Sequence, residues 1–336
     1  MTATVDPRRA DADGLRALLG CATVRIEAAP EAGYSAETVV FEADGSRLVL
    51  RAAPRSRGMF AVHDLDMQVR CLHHIRAHGL PVPTVVATDL DGRHLGRPAY
   101  VMDHVAGRVP PDGRPPFTAA GFLHDADPTA QRTYSTGLVD LVADLHGIPA
   151  LDGLPIGPGP GDHLAWCTGL LDQVADVPAP PGDGVVTRAA EVLATTLPGP
   201  DPAPVLLWGD ARPANTMVGD DFRITAMLDW ELAGTGAPEF DVAWMNEMNR
   251  LRAMGEVDPV LPGFLTEAQV WDRWSARTGR PVRDLAWHRL FAAYKVAVLM
   301  DLHLAERVRY GALAPDAPVR TGNRSHRRLA ELLPNP

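Results

Sequence analysis

Residues 205–244, VLLWGDARPANTMVGDDFRITAMLDWELAGTGAPEFDVAW, carry the groups best suited to chemistry. An apolar run ends at Trp208 and leads into Asp210; Asn215 follows five residues later, and a second apolar run, residues 224–228, leads into Asp229. Two strand-like pieces arranged this way present two carboxylates and a carboxamide near one point. That set suits divalent-metal and phosphate chemistry. Mg2+ takes a few hard oxygen ligands from protein and fills its shell with water and substrate phosphates. Phosphoryl transfer needs a carboxylate that orients an attacking hydroxyl and accepts its proton. Asp and Asn are also common turn formers, and Gly209-Asp210 alone would read as a turn.

The spacing separates these readings. Asp-x4-Asn, followed fourteen residues later by an Asp at the end of an apolar strand, is the catalytic-loop and metal-loop arrangement of protein-kinase-like enzymes. On Trp208 to Asn215, Leu228-Asp229-Trp230-Glu231 and Asp241-Val242-Ala243-Trp244, the chain resembles the aminoglycoside phosphotransferase and choline-kinase-like family. In particular, it resembles the branch similar to the kinase domain attached to some acyl-CoA dehydrogenases. Most of that family has His where Trp208 stands. The resemblance implies that Asp210 orients the acceptor hydroxyl and receives its proton, while Asn215 and Asp229 hold Mg2+ against the phosphates of ATP or GTP. Arg212 would steady the transferred phosphoryl group or tie down the loop. Glu231 would reach a second metal through water or make a structural hydrogen bond. Asp241 would receive backbone N–H groups of the catalytic loop.

Those residues need a scaffold. Residues 11–19 read as a short amphipathic helix with Leu15, Leu18 and Leu19 on one stripe. Strands are expected at 23–28, 38–42 and 47–52, with Asp44-Gly45 as the hairpin turn between the last two. The loop before the second strand occupies the place of the family's nucleotide-covering loop, of which Gly33 and Ser35 remain. Arg51 stands where the kinase strand carries its phosphate-holding base, and a guanidinium can grip phosphate oxygens bidentately; an exposed strand-end Arg is the plain alternative. A helix is expected over 62–78. It places Gln68 where kinases carry the Glu that pairs with that base, with Asp64 one turn earlier as a substitute. Strands at 84–87 and 99–102 lead to Asp103, His104 and Val105, whose backbone would meet the adenine edge if this is the family's hinge.

Residues 109–128, rich in Pro, Gly and Asp, are expected to be irregular. Helices follow at 130–146, 163–174 and 185–197, then at 266–278, with Thr266 as N-cap, and 284–310. His146 is either a base or a core-capping histidine. Trp166, Asp172 and Asp176 are positioned to line an acceptor pocket; Trp287, His288 and Tyr294 either border it or belong to the core. From Asp316 on the chain is polar, and its Arg- and His-rich cluster reads as solvated surface.

The fold class is therefore α+β: a protein-kinase-like bilobal fold with a small N-terminal antiparallel sheet plus helix (1–103) and a larger, mostly helical C-terminal lobe (104–336). Of 336 residues, 46% are hydrophobic and 22% charged, which describes a globular chain. No apolar run approaches the roughly 20 residues of a membrane span, and the N-terminus lacks the apolar core of a signal peptide. Three scattered cysteines carry no zinc or disulfide signature. These features give the expectation of a cytoplasmic protein without a membrane partner. The net charge of −10 argues against nucleic acid and is compatible with a cationic substrate. Nearly all basic residues are Arg, with Lys295 the single lysine. The expected activity is Mg-dependent transfer of the γ-phosphate of ATP or GTP to a small-molecule hydroxyl, by a monomer or homodimer. The acceptor would be an antibiotic such as an aminoglycoside or macrolide, or a hydroxylated metabolite or hydroxyacyl thioester. A non-catalytic nucleotide-binding module is the competing class.

Overall fold

The structure is a computed structural model that describes residues 7–27, 36–55, 63–178, 184–253 and 258–334. The chain divides into two compact units, 1–106 and 107–336.

The first unit contains α1 (Pro7–Leu19), β1 (Val24–Ile26), β2 (Glu37–Ala43), β3 (Ser46–Ala52), α2 (Leu65–Ala77), β4 (Val85–Asp89) and β5 (Ala99–Asp103). Its strands form one antiparallel sheet in the order β1-β2-β3-β5-β4. Ala43 pairs with Ser46, so the β2–β3 hairpin closes on Asp44 and Gly45 alone, at φ of 44° and 83°. Two consecutive positive φ values match the right-handed twist of the strands, and Asp-Gly tolerates them. Phe41, Leu50 and Val101 point to one face and are buried with Leu15 of α1. Full burial of a side chain of this size contributes about 1.5–3 kcal/mol, so this patch fixes the sheet register. Helix α2 begins later than the expected start at 62. Asp64 is its N-cap, accepting from Met67 N at 2.8 Å.

The second unit contains α3 (Pro128–Leu145), α4 (Pro160–Gly169), α5 (Val185–Thr195), β6 (Val205–Leu207), β7 (Thr216–Val218), β8 (Ile224–Met227), β9 (Gly234–Gly236), α6 (Glu239–Arg252), α7 (Glu267–Thr278), α8 (Leu285–Arg309) and α9 (Arg324–Leu332). Two small antiparallel pairs, β6–β9 and β7–β8, carry the segments around Asp210 and Asp229. The helix expected over 163–174 is two pieces, α4 and a 3-10 turn over Leu170–Val174. Thr266 caps α7 in a capping box with Gln269. Residues 109–127 hold no helix or strand, as their composition suggests. The polar tail is not plain solvated surface. It folds into α9, whose Leu329 is buried and whose His326 pairs with Asp301 of α8 at 2.8 Å. No helix among the described residues is long and apolar enough to cross a membrane.

Candidate active site

Strand β6 is buried along its whole length, and Trp208 after it is buried completely. At Gly209 the backbone takes φ +79°, and a Cβ there would lie 1.8 Å from Leu232 O. Only glycine makes that turn, and the turn delivers Asp210.

The loop is held from below by Asp241 in the first turn of α6. Its Oδ2 accepts from Trp208 N at 2.7 Å and its Oδ1 from Gly209 N at 2.8 Å. Asp241 is oriented by His146, whose Nε2 lies 3.2 Å from Oδ2. The indole N–H of Trp274 donates to His146 Nδ1 at 3.0 Å. An indole nitrogen can only donate, so Nδ1 is the acceptor and Nε2 carries the proton offered to Asp241. His146 is thus a buried support of the loop, and the reading of it as a base is set aside.

Asp210 is itself almost fully buried. Its Oδ2 accepts from Arg212 Nε at 2.8 Å and from Asn215 Nδ2 at 2.7 Å. Its Oδ1 accepts from Trp244 Nε1 at 2.8 Å. A carboxylate oxygen offers about two lone-pair sites; Oδ2 is saturated, and Oδ1 keeps one for a further donor. Lys295 of α8 donates to Gly209 O at 2.7 Å, and its Nζ sits 4.4 Å above the Trp244 ring and 5.7 Å from that of Trp166. Burial lowers the Lys295 pKa, and the nearby Asp210 charge works against that. A cavity of about 20 Å³ lies beside these groups, lined in part by Gly209, Trp166, Trp244 and Lys295. It has room for one water.

Asn215 and Asp229 are neighbours through the backbone: Leu228 N donates to Asn215 O at 2.8 Å. The Asn215 amide also donates to Asp210 O at 3.0 Å. Its nitrogen is thus engaged twice by Asp210. Asp229 takes φ +59°, a left-handed conformation that Asp tolerates better than bulkier residues. Among the described residues no group of three His, Cys, Asp or Glu could hold a metal ion. A carboxamide oxygen and one carboxylate nevertheless fit Mg2+, which takes one or two protein carboxylates and leaves the rest of its shell to phosphates and water. Trp208 joins the two loops, donating Nε1–H to Leu228 O at 2.8 Å while its ring stacks on Trp230 at 5.6 Å. An imidazole N–H can make the same kind of bond, so Trp208 keeps a donor where the family has His. Glu231 is half-buried in the turn that follows.

In the first unit, Arg51 Nη1 donates to Thr38 Oγ1 at 3.0 Å, and Gln68 Oε1 accepts the Tyr100 hydroxyl at 3.2 Å. Tyr100 and Arg51 are paired residues across β3 and β5. Asp103 N–H is bound to Thr84 O and His104 N–H to Arg47 O. Those two N–H groups of the expected hinge stretch are thus engaged within the first unit. Gly33 and Ser35 lie outside the described residues. Of the acceptor-side candidates, Trp166 lines the cavity, whereas Asp172 is exposed and Asp176 pairs with Arg309. Trp287, His288 and Tyr294 are core, and the Tyr294 hydroxyl bonds Thr168. Sequence reasoning missed the contributions of Trp244 and Lys295. Two signals were present: Lys295 is the sole lysine, and Trp244 closes the Asp-Val-Ala-Trp segment.

A family profile described as "Phosphotransferase enzyme family" matches residues 27–281. Acyl-CoA dehydrogenase family member 11 from Gallus gallus is 29% identical over 223 residues, covering 64% of this chain and 27% of that protein. The Homo sapiens counterpart is 29% identical over 220 residues, covering 63% and 26%. The chain thus spans about a quarter of the length of these relatives. A Ralstonia eutropha protein described as a candidate aminoglycoside phosphotransferase superposes with a TM-score of 0.70 at 20% identity, covering 95% and 94% of the two chains. The macrolide 2'-phosphotransferase of Brachybacterium faecium gives 0.54 at 21% identity, covering 94% and 93%. A thermostable APH(4)-Ia in complex with AMP-PNP and hygromycin B gives 0.58 at 15%, covering 92% of each. The fold is the protein-kinase-like one of the aminoglycoside phosphotransferases.

Proposed function

Because the chain belongs to the phosphotransferase enzyme family, we propose that it moves the γ-phosphate of ATP or GTP to a hydroxyl of a small molecule, with Asp210 as the base. One observation carries this reading: Oδ2 of Asp210 is saturated by Arg212 and Asn215, while Oδ1, steadied by Trp244, keeps an open acceptor site. The acceptor O–H bond breaks toward Oδ1 as its oxygen bonds to the γ-phosphorus and the bond from that phosphorus to the bridging β-oxygen breaks. Asn215 and Asp229 would hold Mg2+, whose charge neutralises phosphate oxygens when bound. Arg51 is proposed as a ligand of nucleotide phosphates. Gln68 is neutral and holds Tyr100, so it would add order there but no charge. Gly33 and Ser35 remain candidates for the nucleotide-covering loop, and Glu231 for an outer metal contact through water.

The acceptor is proposed to be a hydroxylated antibiotic or a hydroxylated metabolite such as a hydroxyacyl thioester. Arg212 bonds the Oδ2 side of Asp210, and Lys295 lies against the Trp244 ring. Arg212 is paired with Asp210 and Asp112, and Lys295 lies near Asp210 and Asp241, so the cations here are compensated and do not select against a cationic acceptor. Thermal-shift measurements with ATP and GTP, each with and without Mg2+, followed by a panel of hydroxyl compounds with the stabilising nucleotide, test the proposal. Transfer to at least one hydroxyl compound of the panel is expected. Tight Mg-nucleotide binding with no transfer to any acceptor would favour the non-catalytic module.

A further inference from the structure

Arg212 is held from two directions. Its Nε donates to Asp210 Oδ2 at 2.8 Å, and its Nη1 donates to Asp112 Oδ2. Asp112 comes from the proline-rich segment between β5 and α3 and is gripped in turn by Arg252 at the end of α6. Arg252 Nε reaches Asp112 Oδ1, and its Nη2 reaches Oδ2 at 2.7 Å. Thr118 Oγ1 donates to the Arg252 carbonyl and so ties the same segment to the end of the helix. Four charges alternate in sign along Asp210, Arg212, Asp112 and Arg252. Burial alone would raise the Asp112 carboxyl, but the hydrogen bond from Arg252 and the charge of Arg212 keep it below the usual carboxylate range.

Arginine and carboxylate prefer to pair bidentately, two parallel N–H groups on two oxygens. Arg212 does not pair with Asp210 in that way. One nitrogen meets Oδ2, Oδ1 receives Trp244, and among the described residues Arg212 Nη2 has no acceptor. A guanidinium is planar, so anchoring Nε and Nη1 also fixes the direction of Nη2. We infer that Asp112, held by Arg252, is a positioning residue that keeps Arg212 from closing both nitrogens onto Asp210. This leaves Nη2 for an anionic oxygen and Oδ1 for the acceptor hydroxyl. The inference rests on the phosphotransfer reading for its consequence but not for its geometry.

The test has two arms on the full chain. Crystal structures of the wild type and Asp112→Ala read the geometry without any assay. The variant is expected to bring Arg212 Nη2 within hydrogen-bond distance of Asp210 Oδ1; an unmoved Arg212 overturns the inference. In the second arm, phosphate release from Mg-ATP into water serves as the probe. Asp112→Ala should lower kcat at least tenfold with the nucleotide KM within twofold, and Asp112→Glu should recover part of the loss. Wild-type turnover by Asp112→Ala overturns the inference. Should Asp112→Ala fold poorly, Asp112→Asn takes its place in both arms and the same outcomes decide. If the wild type neither releases nor transfers phosphate, the phosphotransfer reading fails, and the crystal arm still decides the positioning claim.

Discussion

The indole N–H of Trp244 donates to Oδ1 of Asp210 at 2.8 Å, while Lys295 Nζ lies 4.4 Å above the same ring. With that bond made, Oδ1 keeps one lone-pair site that no donor among the described residues takes. A hydrogen bond to a charged group contributes about 1.5–3 kcal/mol. Trp244→Phe keeps a ring under Lys295 and deletes the N–H. Phosphoryl transfer by this variant should slow roughly 10- to 100-fold at little change in nucleotide KM, read by steady-state kinetics. An unchanged kcat would detach Trp244 from the orientation of Asp210.

Asp241 accepts from two backbone N–H groups and from His146. Asp241→Ala leaves those buried donors without an acceptor, at roughly 1–3 kcal/mol each. Denaturant unfolding should show a loss of several kcal/mol. A loss below about 1 kcal/mol would mean that the loop is held by other means.

Gly209→Ala combines a positive φ with a Cβ 1.8 Å from Leu232 O. The backbone must shift, and Asp210 shifts with it. The variant should unfold at a visibly lower temperature and lose transfer activity, measured on the same sample. Retention of both would mean that the turn relaxes without moving the carboxylate.

Burial holds His163 down at about 4 and His288 at about 3. In the unfolded chain both take up a proton near pH ~6.5. From that pH down to about 4 for His163 and about 3 for His288, the unfolded state therefore binds more protons than the folded one. Stability is intact above this window and falls as the pH drops through it, by several kcal/mol in all. Urea midpoints at pH 7 and pH 5 should show the decline, and His288→Phe should make it shallower. Equal declines in the two proteins would remove His288 as a contributor.

The sequence discloses what is local. Asp210 and Asn215 are five residues apart, and their hydrogen bond follows from that spacing. Asp44-Gly45 announces its hairpin and Thr266 its helix. What it conceals is long-range. Asp112 reaches Arg212 across 100 residues and Arg252 across 140, and Trp274 reaches His146 across 128. No periodicity or motif marks such partners, because packing brings them together. Asp64 shows a subtler failure. On a helix drawn from residue 62 it falls inside the helix, whereas it is the N-cap that closes the helix start. The tail misled for a related reason: six of the nine residues of α9 are polar or charged, yet Ser325, His326 and Leu329 are buried.

The central claim is that Asp210 is the base of a phosphoryl transfer, and Asp210→Asn tests it most directly. The amide keeps the shape and can still meet Arg212 and Trp244 in part, but it cannot take a proton. Transfer of labelled γ-phosphate to the acceptor found in the screen should fall by at least 100-fold, with Mg-nucleotide affinity by titration within about threefold of wild type. Transfer by Asp210→Asn at a rate close to wild type would contradict the account.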